Sequence, residues 1–287
     1  MNALFGPAGN SESFAAMGYK KTLQIPEYLD RFGLTAYEYQ CGRGVRINED
    51  AAVQFGKKAK EYGIALSLHA PYYISLSSIE AETRLKSIGY IMESAKAAHA
   101  MGANRIVVHS GSCGKQSRES ALALAKDTLT LAQRTLDENG LSEIILCPET
   151  MGKIGQLGTM EEVLELCKVD ERFLPCIDFG HLNARTIGNC STKEQFAAVL
   201  DSVENVLGYE RAAKFHSHFS KIEYTSGGEK KHLTFEDTLY GPNFEPLAEE
   251  IVKRNYHPTF ICESAGTQAE DASYMQKVYF DLLSQER

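Results

Sequence analysis

Histidine, aspartate and glutamate residues recur along the chain, and several directly follow short apolar runs. These side chains supply the nitrogen and oxygen ligands that Zn²⁺ and Mn²⁺ bind in proteins. Carboxylates brought to one place would repel one another unless cations lay between them, so the pattern predicts a site with more than one metal ion. The residues concerned are His69 in SLHAPYY, His109 in VVHSGS, Glu149 in LCPET, Asp178 and His181 in CIDFGH, His216 in KFHSH and Glu263 in ICES.

A further histidine, His232 in SGGEKKH, could join this set. Asp178 and His181 are three residues apart, which suits ligands of adjacent ions better than ligands of one ion. His232 could lie within reach of His181, although a charged segment of this kind is equally typical of a solvent-exposed loop. Taken singly, each histidine that ends a strand could also be a hydrogen-bonded structural residue.

Short runs of apolar or β-branched residues alternate with longer amphipathic segments, a pattern typical of βα units on a parallel sheet. The predicted strands are 3–5, 36–40, 65–69, 105–109, 143–148, 174–178, 213–216 and 259–263. The predicted helices include 49–62, 78–101, 117–139, 160–168, 192–207, 244–254 and 269–283. The sequence contains neither a linker nor an internal repeat that would divide this alternation.

The number of βα units favours one closed barrel. Eight units in 287 residues predict an α/β protein with a single (β/α)8 TIM-barrel domain over residues 1–287. A doubly wound sheet would be expected to begin with a GxGxxG turn, whereas this chain begins with FGPAGNS. Because the carboxyl ends of all strands face one mouth of such a barrel, we expect the candidate ligands to meet there.

Composition and charge narrow the classes of function. The formal net charge is −8, from 30 Lys and Arg against 38 Asp and Glu. This balance argues against affinity through bulk positive charge, but not against an enzyme that meets phosphate through metal ions. The apolar runs are too short to span a membrane, and the start lacks the features of a signal peptide. With seven cysteines and no CxxC spacing, we expect a cytoplasmic protein without a disulfide framework. Nothing in the sequence marks an oligomer interface, so we expect a monomer.

At these motifs the sequence resembles endonuclease IV, the zinc-dependent apurinic/apyrimidinic endonuclease family of the xylose isomerase-like TIM barrels. The ligand types match in order and in position on the strands, from the first strand to Glu263. The resemblance implies two or three Zn²⁺ ions in the barrel mouth, with Mn²⁺ able to replace part of the zinc. The implied ligands are His69, His109 and Glu149 for the first ion, Glu149, Asp178, His216 and Glu263 for the second, and His181 and His232 for the third.

The third ion site departs from the family pattern. The family completes this site with Asp-Arg-His, whereas this chain has Glu229-Lys230-Lys231-His232. Glu229 could reach the ion from one residue further away, or the ion could have fewer protein ligands or be absent. His218 is an alternative ligand, because it lies two residues after His216 and so on the same face of a continuing strand.

The resemblance implies cleavage of the DNA backbone 5′ to an abasic site, so DNA with abasic sites is the expected partner. A hydroxide generated at the metal site would attack the phosphorus. Glu149, between the flanking ions, and Glu263, which could help to orient the nucleophile, are the candidate catalytic residues. Arg43 in CGRGVR and Tyr72 are candidate DNA-binding residues, although a surface arginine and a rim aromatic are equally simple interpretations. Further rim candidates are Lys153, Arg185 and Lys221.

Two other functions remain open from the sequence. A metal-dependent sugar isomerase or epimerase of the related barrel needs one ion, which Glu149, Asp178, His216 and Glu263 could hold. That interpretation leaves the other four histidines of the set unexplained, and counting metal ions per chain would separate the two. The third interpretation is a metal- or DNA-binding module without activity, which would bind abasic duplex without cutting it.

Overall fold

The predicted (β/α)8 barrel is confirmed by the computed structural model, which describes residues 1–285. The barrel strands are β1 Leu4–Pro7, β2 Ala36–Gln40, β3 Ala65–His69, β4 Arg105–Val108, β5 Ile145–Pro148, β6 Cys176–Asp178, β7 His216–Phe219 and β10 Thr259–Cys262. Between the last two lies an antiparallel hairpin of β8 Ile222–Thr225 and β9 Gly228–His232. The interpretation of residues 1–287 as one domain stays a prediction.

Two four-stranded parallel sheets close the barrel. Their strand orders are β1-β10-β7-β6 and β2-β3-β4-β5. Parallel bridges from Ala8 to Glu38 and from Glu149 to Cys176 join the two sheets. The first seam is tight, because a Cβ atom added to Gly6 would lie 1.8 Å from the Ala36 carbonyl oxygen. Closure brings the carboxyl ends of all eight strands to one mouth.

Helices connect successive strands on the outside of the barrel. They are α1 Glu12–Ala16, α2 Ile25–Asp30, α3 Glu49–Glu61, α4 Ala81–Met101, α5 Arg118–Glu138, α6 Met160–Cys167, α7 Phe179–Arg185, α8 Lys193–Leu207, α9 Tyr209–Ala212, α10 Glu245–Lys253 and α11 Gln268–Gln285, with a 3-10 turn at Thr22–Gln24. The seven predicted helices are present, and four short helices, α1, α2, α7 and α9, are additional. In residues 1–285, none of the helices combines the length and the apolar character needed to cross a membrane.

Strand β7 does not lie where the sequence predicts it. The predicted strand 213–216 is wrong, because Ala213 belongs to the turn that closes α9 and donates its N–H to the Tyr209 carbonyl. The strand begins only at His216 and continues to Phe219. Its carboxyl end at the mouth therefore lies later in the chain than expected.

The barrel wall separates an apolar core from a polar mouth. Aromatic rings pack between strands and helices, with Phe260 at 5.4 Å from Phe5 and 5.2 Å from Phe244 between ring centroids. Inside the barrel, a small apolar cluster includes Val107 and Cys147. All seven cysteines are buried free thiols. The polar residues at the mouth therefore lie directly above a packed apolar layer inside the barrel.

Candidate metal centre

The strand ends bring most of the candidate ligands to the mouth. His69 ends β3 and Asp178 ends β6, whereas His109, Glu149 and Glu263 directly follow β4, β5 and β10. They lie in or beneath a cleft of about 310 Å³. Its lining includes His69, Tyr72, His109, Glu149, Lys153, His181, Glu229, His232 and Glu263.

The ligand atoms fall into overlapping groups in which all atoms lie within 4.8 Å of one another. Ligands of one zinc ion lie about 2.0–2.2 Å from it, hence within roughly 4.4 Å of one another, so each group is close to the size that one ion requires. Glu149 and Glu263 each belong to more than one group. Three groups correspond to the expected ion sites, the second with His218 in place of His216: His69, His109 and Glu149; Glu149, Asp178, His218 and Glu263; and His181, His232 and Glu263.

Three histidines have one ring nitrogen fixed by a neighbour outside these groups. Nδ1 of His69 lies 2.8 Å from the carbonyl oxygen of Ala70, and Nδ1 of His181 lies 2.9 Å from that of Thr150. Carbonyl oxygens only accept hydrogen bonds, so Nδ1 carries the proton and Nε2 is the nitrogen available to a cation. The third, His232, has Nδ1 2.8 Å from a serine hydroxyl. Metal-binding histidines in proteins have this arrangement.

The pKa values of two buried carboxylates at the mouth are shifted in opposite directions by their neighbours, as expected where several acidic groups share a site that suits cations. Burial disfavours ionisation of Glu149, yet the charge of His218 and hydrogen bonds from His109 and His181 hold its pKa well below the usual range. Burial, opposed by His181 and reinforced by repulsion from Glu263 and Glu149, raises the pKa of Asp178 to about 6.

The protonation of His69 and one oxygen of Asp178 also indicate that the mouth is suited to bind a cation. Burial opposes protonation of His69, but its hydrogen bond to Glu149 and the charge of that carboxylate raise its pKa to about 9. In residues 1–285, Oδ2 of Asp178 is buried without a hydrogen-bond partner. A metal ion would satisfy this oxygen, and the donor set as a whole suits zinc.

His218 occupies the position in the second group for which the sequence predicts His216. Nδ1 of His218 lies 3.0 Å from Oε1 of Glu149 and 3.5 Å from Oε1 of Glu263. His216 lies two residues earlier on β7 and so further from the mouth, and its Nε2 is 2.9 Å from Oε2 of Glu38; neither histidine has exposed surface. The structure therefore places His218, rather than His216, beside the second group's carboxylates, because β7 ends later than predicted and the residue nearer the mouth on the same strand face is His218. His216 forms a further group with Cys176 and His218, and its role as a ligand stays a prediction.

The β8–β9 hairpin brings Glu229 to the third group. Oε2 of Glu229 lies 3.5 Å from Nε2 of His181, and Oε1 lies 3.9 Å from Nε2 of His232. Gly152 makes room for this approach, because a Cβ atom there would lie 2.5 Å from the Cβ of Glu229. Of the alternatives left open by the sequence, the geometry matches Glu229 reaching in from one residue further away.

A β-bulge in β9 explains how Glu229 reaches the third group although it precedes His232 by three residues rather than two. Glu223 pairs with Lys231, and the next residue, Tyr224, pairs with Glu229, so Lys230 is an extra residue in β9. A bulge changes the alternation of faces locally. Both lysines accordingly contact the Glu223 carboxylate on one face. Glu229 and His232 remain together on the other.

Of the rim candidates, Tyr72, Lys153 and Arg43 are exposed, whereas Arg185 and Lys221 are hydrogen-bonded to backbone carbonyls. Tyr72 is 58% exposed and lines the cleft with Lys153, and its N–H lies 3.3 Å from the carbonyl of Gly42, next to the exposed Arg43. Arg185 does not lie free at the rim, since its guanidinium donates to four carbonyls of the β5–α6 loop. Lys221 likewise donates to the carbonyls of Phe235 and Asp237.

Sequence reasoning missed Glu38, a fully buried carboxylate at the centre of β2. It accepts hydrogen bonds from His216 and His218 and from Ser67 and Gln40. The available signal was an acidic residue inside the predicted strand AYEYQ, where a buried charge needs specific partners.

The fold and its mouth define the class of (β/α)8 barrels with histidine and carboxylate clusters at the strand ends. A sequence profile of the xylose isomerase-like TIM barrel family matches residues 26–278, and the chain belongs to this family. It is 35% identical to an uncharacterized protein of Methanocaldococcus jannaschii over 97% of both chains. It is 24% identical to a probable endonuclease 4 of Thermoplasma acidophilum over 73% of this chain and 74% of that protein.

Solved structures of this fold include both endonucleases and epimerases. A D-tagatose 3-epimerase-like protein matches with a TM-score of 0.72 at 18% identity, covering 99% of both chains. Endonuclease IV from Thermus thermophilus matches with a TM-score of 0.68 at 19% identity, covering 98% of this chain and 99% of that chain. At these identities the matches establish the fold. The resemblance to endonuclease IV is thus confirmed at the level of the barrel family.

Proposed function

We propose that the protein is a metal-dependent phosphodiesterase that cleaves the DNA backbone 5′ to abasic sites. Its cofactor would be Zn²⁺, two or three ions per chain, with Mn²⁺ able to replace part of the zinc. The observation that carries this proposal is the number of ligand groups at the mouth. One four-ligand group suffices for a one-ion sugar isomerase, whereas here further groups, containing His69, His109, His181 and His232, share its carboxylates.

Hydrolysis of a phosphodiester needs a water molecule in line with the bond and compensation for the charge that develops on phosphate. Bound zinc ions would supply both, because they lower the pKa of water to about 7 and stabilise the added charge. Glu149 and Glu263 each belong to more than one ligand group. Their carboxylates would therefore lie between ion positions, where they are suited to orient the attacking water.

The rim offers groups of the kind that a damaged DNA strand requires. Tyr72 presents an exposed ring at the cleft, and aromatic rings stack on exposed bases. Lys153 and Arg43 are exposed cations that could contact backbone phosphates. An abasic nucleotide costs less to extrude than a paired base, so the cleft gains selectivity without reading bases.

A sugar epimerase is the second candidate, favoured by one specific observation. Glu149, Asp178, His218 and Glu263 alone form a four-ligand group for one ion. The cleft of about 310 Å³ is also large enough for a small polar substrate, at the lower end of the usual range for ligand pockets.

Metal content and cleavage of abasic DNA, measured on the same sample, test the proposal. Protein purified without chelator should contain two or three ions per chain and cut a duplex with one abasic site on its 5′ side, leaving the undamaged duplex intact. Glu149→Gln should lose both metal and cleavage. Glu250→Gln is the matched control, because Glu250 is also buried but contacts Arg254 on α10. One ion per chain, no cleavage and epimerisation of a ketohexose would establish the second candidate instead.

A further inference from the structure

Glu38 lies directly beneath the candidate metal centre and accepts four hydrogen bonds. Oε1 accepts from Nε2 of His218 at 2.9 Å and from Nε2 of Gln40 at 3.1 Å. Oε2 accepts from Nε2 of His216 at 2.9 Å and from Oγ of Ser67 at 3.0 Å. Because the carboxylate has no exposed surface, these donors replace the water that would otherwise stabilise its charge.

The contact with Glu38 decides which nitrogen of His218 faces the mouth. An ionised carboxylate can only accept hydrogen bonds, so Nε2 of His218 must carry a proton. Nδ1 is then the nitrogen directed at the mouth, where it donates to Oε1 of Glu149 at 3.0 Å and lies 3.5 Å from Oε1 of Glu263; an ion bound to His218 would take the place of the proton on Nδ1. The imidazole of His218 thus bridges Glu38 on one side and the second ligand group on the other.

His216 is held by the same carboxylate but belongs to a group with Cys176 and His218, and to none of the groups that contain Glu149. It precedes His218 by two residues and shares its strand face. Its Nε2 donates to the second oxygen of Glu38, and within residues 1–285 its Nδ1 has no hydrogen-bond partner. One carboxylate therefore fixes two histidines, and only one of them reaches Glu149.

We propose that Glu38 is a positioning residue that makes His218, rather than His216, the histidine ligand of the second ion. The inference rests on the metal centre of the proposed function. Glu38 fixes the proton on Nε2 of His218, orients the ring and increases the basicity of Nδ1. Partners of this kind behind metal-binding histidines typically contribute about 10–100-fold to metal affinity.

Glu38→Gln tests the proposal with a change of almost no volume. The amide keeps only one oxygen, so it cannot accept from both imidazoles. We expect zinc affinity to fall about 10–100-fold at one site per chain, measured by competition with a chromogenic chelator, while the remaining ions bind as in the wild type. Glu250→Gln, which alters a buried carboxylate outside the mouth, should bind all ions normally. Wild-type affinity at every site of Glu38→Gln would overturn the proposal.

A second variant covers the case in which Glu38→Gln does not fold. Ser67→Ala removes one hydrogen bond to Oε2 and leaves the carboxylate in place. We expect a cooperative unfolding transition, normal ion content at saturating zinc and an affinity reduced several-fold at one site; an unchanged affinity would overturn the proposal. DNA cleavage by the wild type is assayed in parallel. Full metal content without cleavage would reject the endonuclease but not the role of Glu38.

Discussion

At the scale of single residues, the mouth is defined by buried polar atoms that a cation would satisfy. Oδ2 of Asp178 is buried without a hydrogen bond within residues 1–285, and Nδ1 of His218 faces two carboxylates. Uncompensated buried polar atoms are costly, so natural proteins keep them mainly where a ligand completes the set. Asp178 is thus the residue whose side chain depends most on a cation, and His218 is the histidine directed at the carboxylates of the same group.

The two histidines of β7 give the first prediction. His218→Ala should reduce zinc content by one ion per chain, because it removes a nitrogen from the second ligand group. His216→Ala should retain every ion at saturating zinc, although it lowers the unfolding midpoint by emptying a buried position. Elemental analysis of both variants after identical dialysis makes the comparison. Loss of an ion from His216→Ala and not from His218→Ala would restore the assignment expected from the sequence.

At the scale of elements, the β8–β9 hairpin carries the part of the site in which this chain departs from the endonuclease IV pattern. The bulge at Lys230 keeps Glu229 and His232 on one face of β9 despite the additional residue. The alternation of faces in a strand depends on residue number, so without the bulge the additional residue would place Glu229 and His232 on opposite faces.

A deletion and a substitution in β9 give the second prediction. Deleting Lys230 should convert the bulge into a regular hairpin with Glu229 and His232 still on one face, so the third ion should be retained. Glu229→Ala, which removes the carboxylate beside His181 and His232, should lose that ion. Zinc content of both variants, with unfolding curves to verify the fold, decides the matter. Equal zinc content in the two proteins would mean that Glu229 does not hold the third ion.

Much of this architecture could be predicted from local sequence, and the errors have physical reasons. The predicted strands 36–40 and 65–69 and the helix 49–62 agree with the structure because their patterns depend on neighbours in sequence. Strand β7 was misplaced because its inward-facing residues are histidines, which interrupt the apolar pattern that marks a strand. Glu38 was missed because its partners come from β3 and β7, and no local pattern reveals such contacts.

At the scale of the whole molecule, stability and the metal centre lie in different layers. The aromatic core around Phe5, Phe244 and Phe260 packs between strands and helices, away from the mouth. The mouth instead gathers buried carboxylates and histidines. Burial of charge opposes folding, whereas ligands that bind only the folded state stabilise it. The barrel should therefore fold without metal but be less stable.

Removal of metal gives the last prediction. Chelated protein should unfold cooperatively at a lower midpoint, since each ion present at 100 times its dissociation constant contributes about 2.7 kcal/mol. The deficit should increase as pH rises from about 4 to 9, over about 4 to 6 through Asp178 and over about 6.5 to 9 through His69. Asp178, with its pKa raised to about 6, and His69, with its pKa raised to about 9, both bind protons more tightly folded than unfolded. Folded protein without metal therefore loses stability as these protons dissociate.

Calorimetry of the zinc-loaded and chelated protein at several pH values measures both effects. His69→Ala serves as the control, because it removes one ligand of the first ion and one of the two titrating groups while leaving the aromatic core untouched. Its chelated form should depend less on pH than the chelated wild type. A loss of cooperative unfolding after chelation would show instead that the metal ions are part of the core on which the barrel depends, as in small zinc-dependent domains.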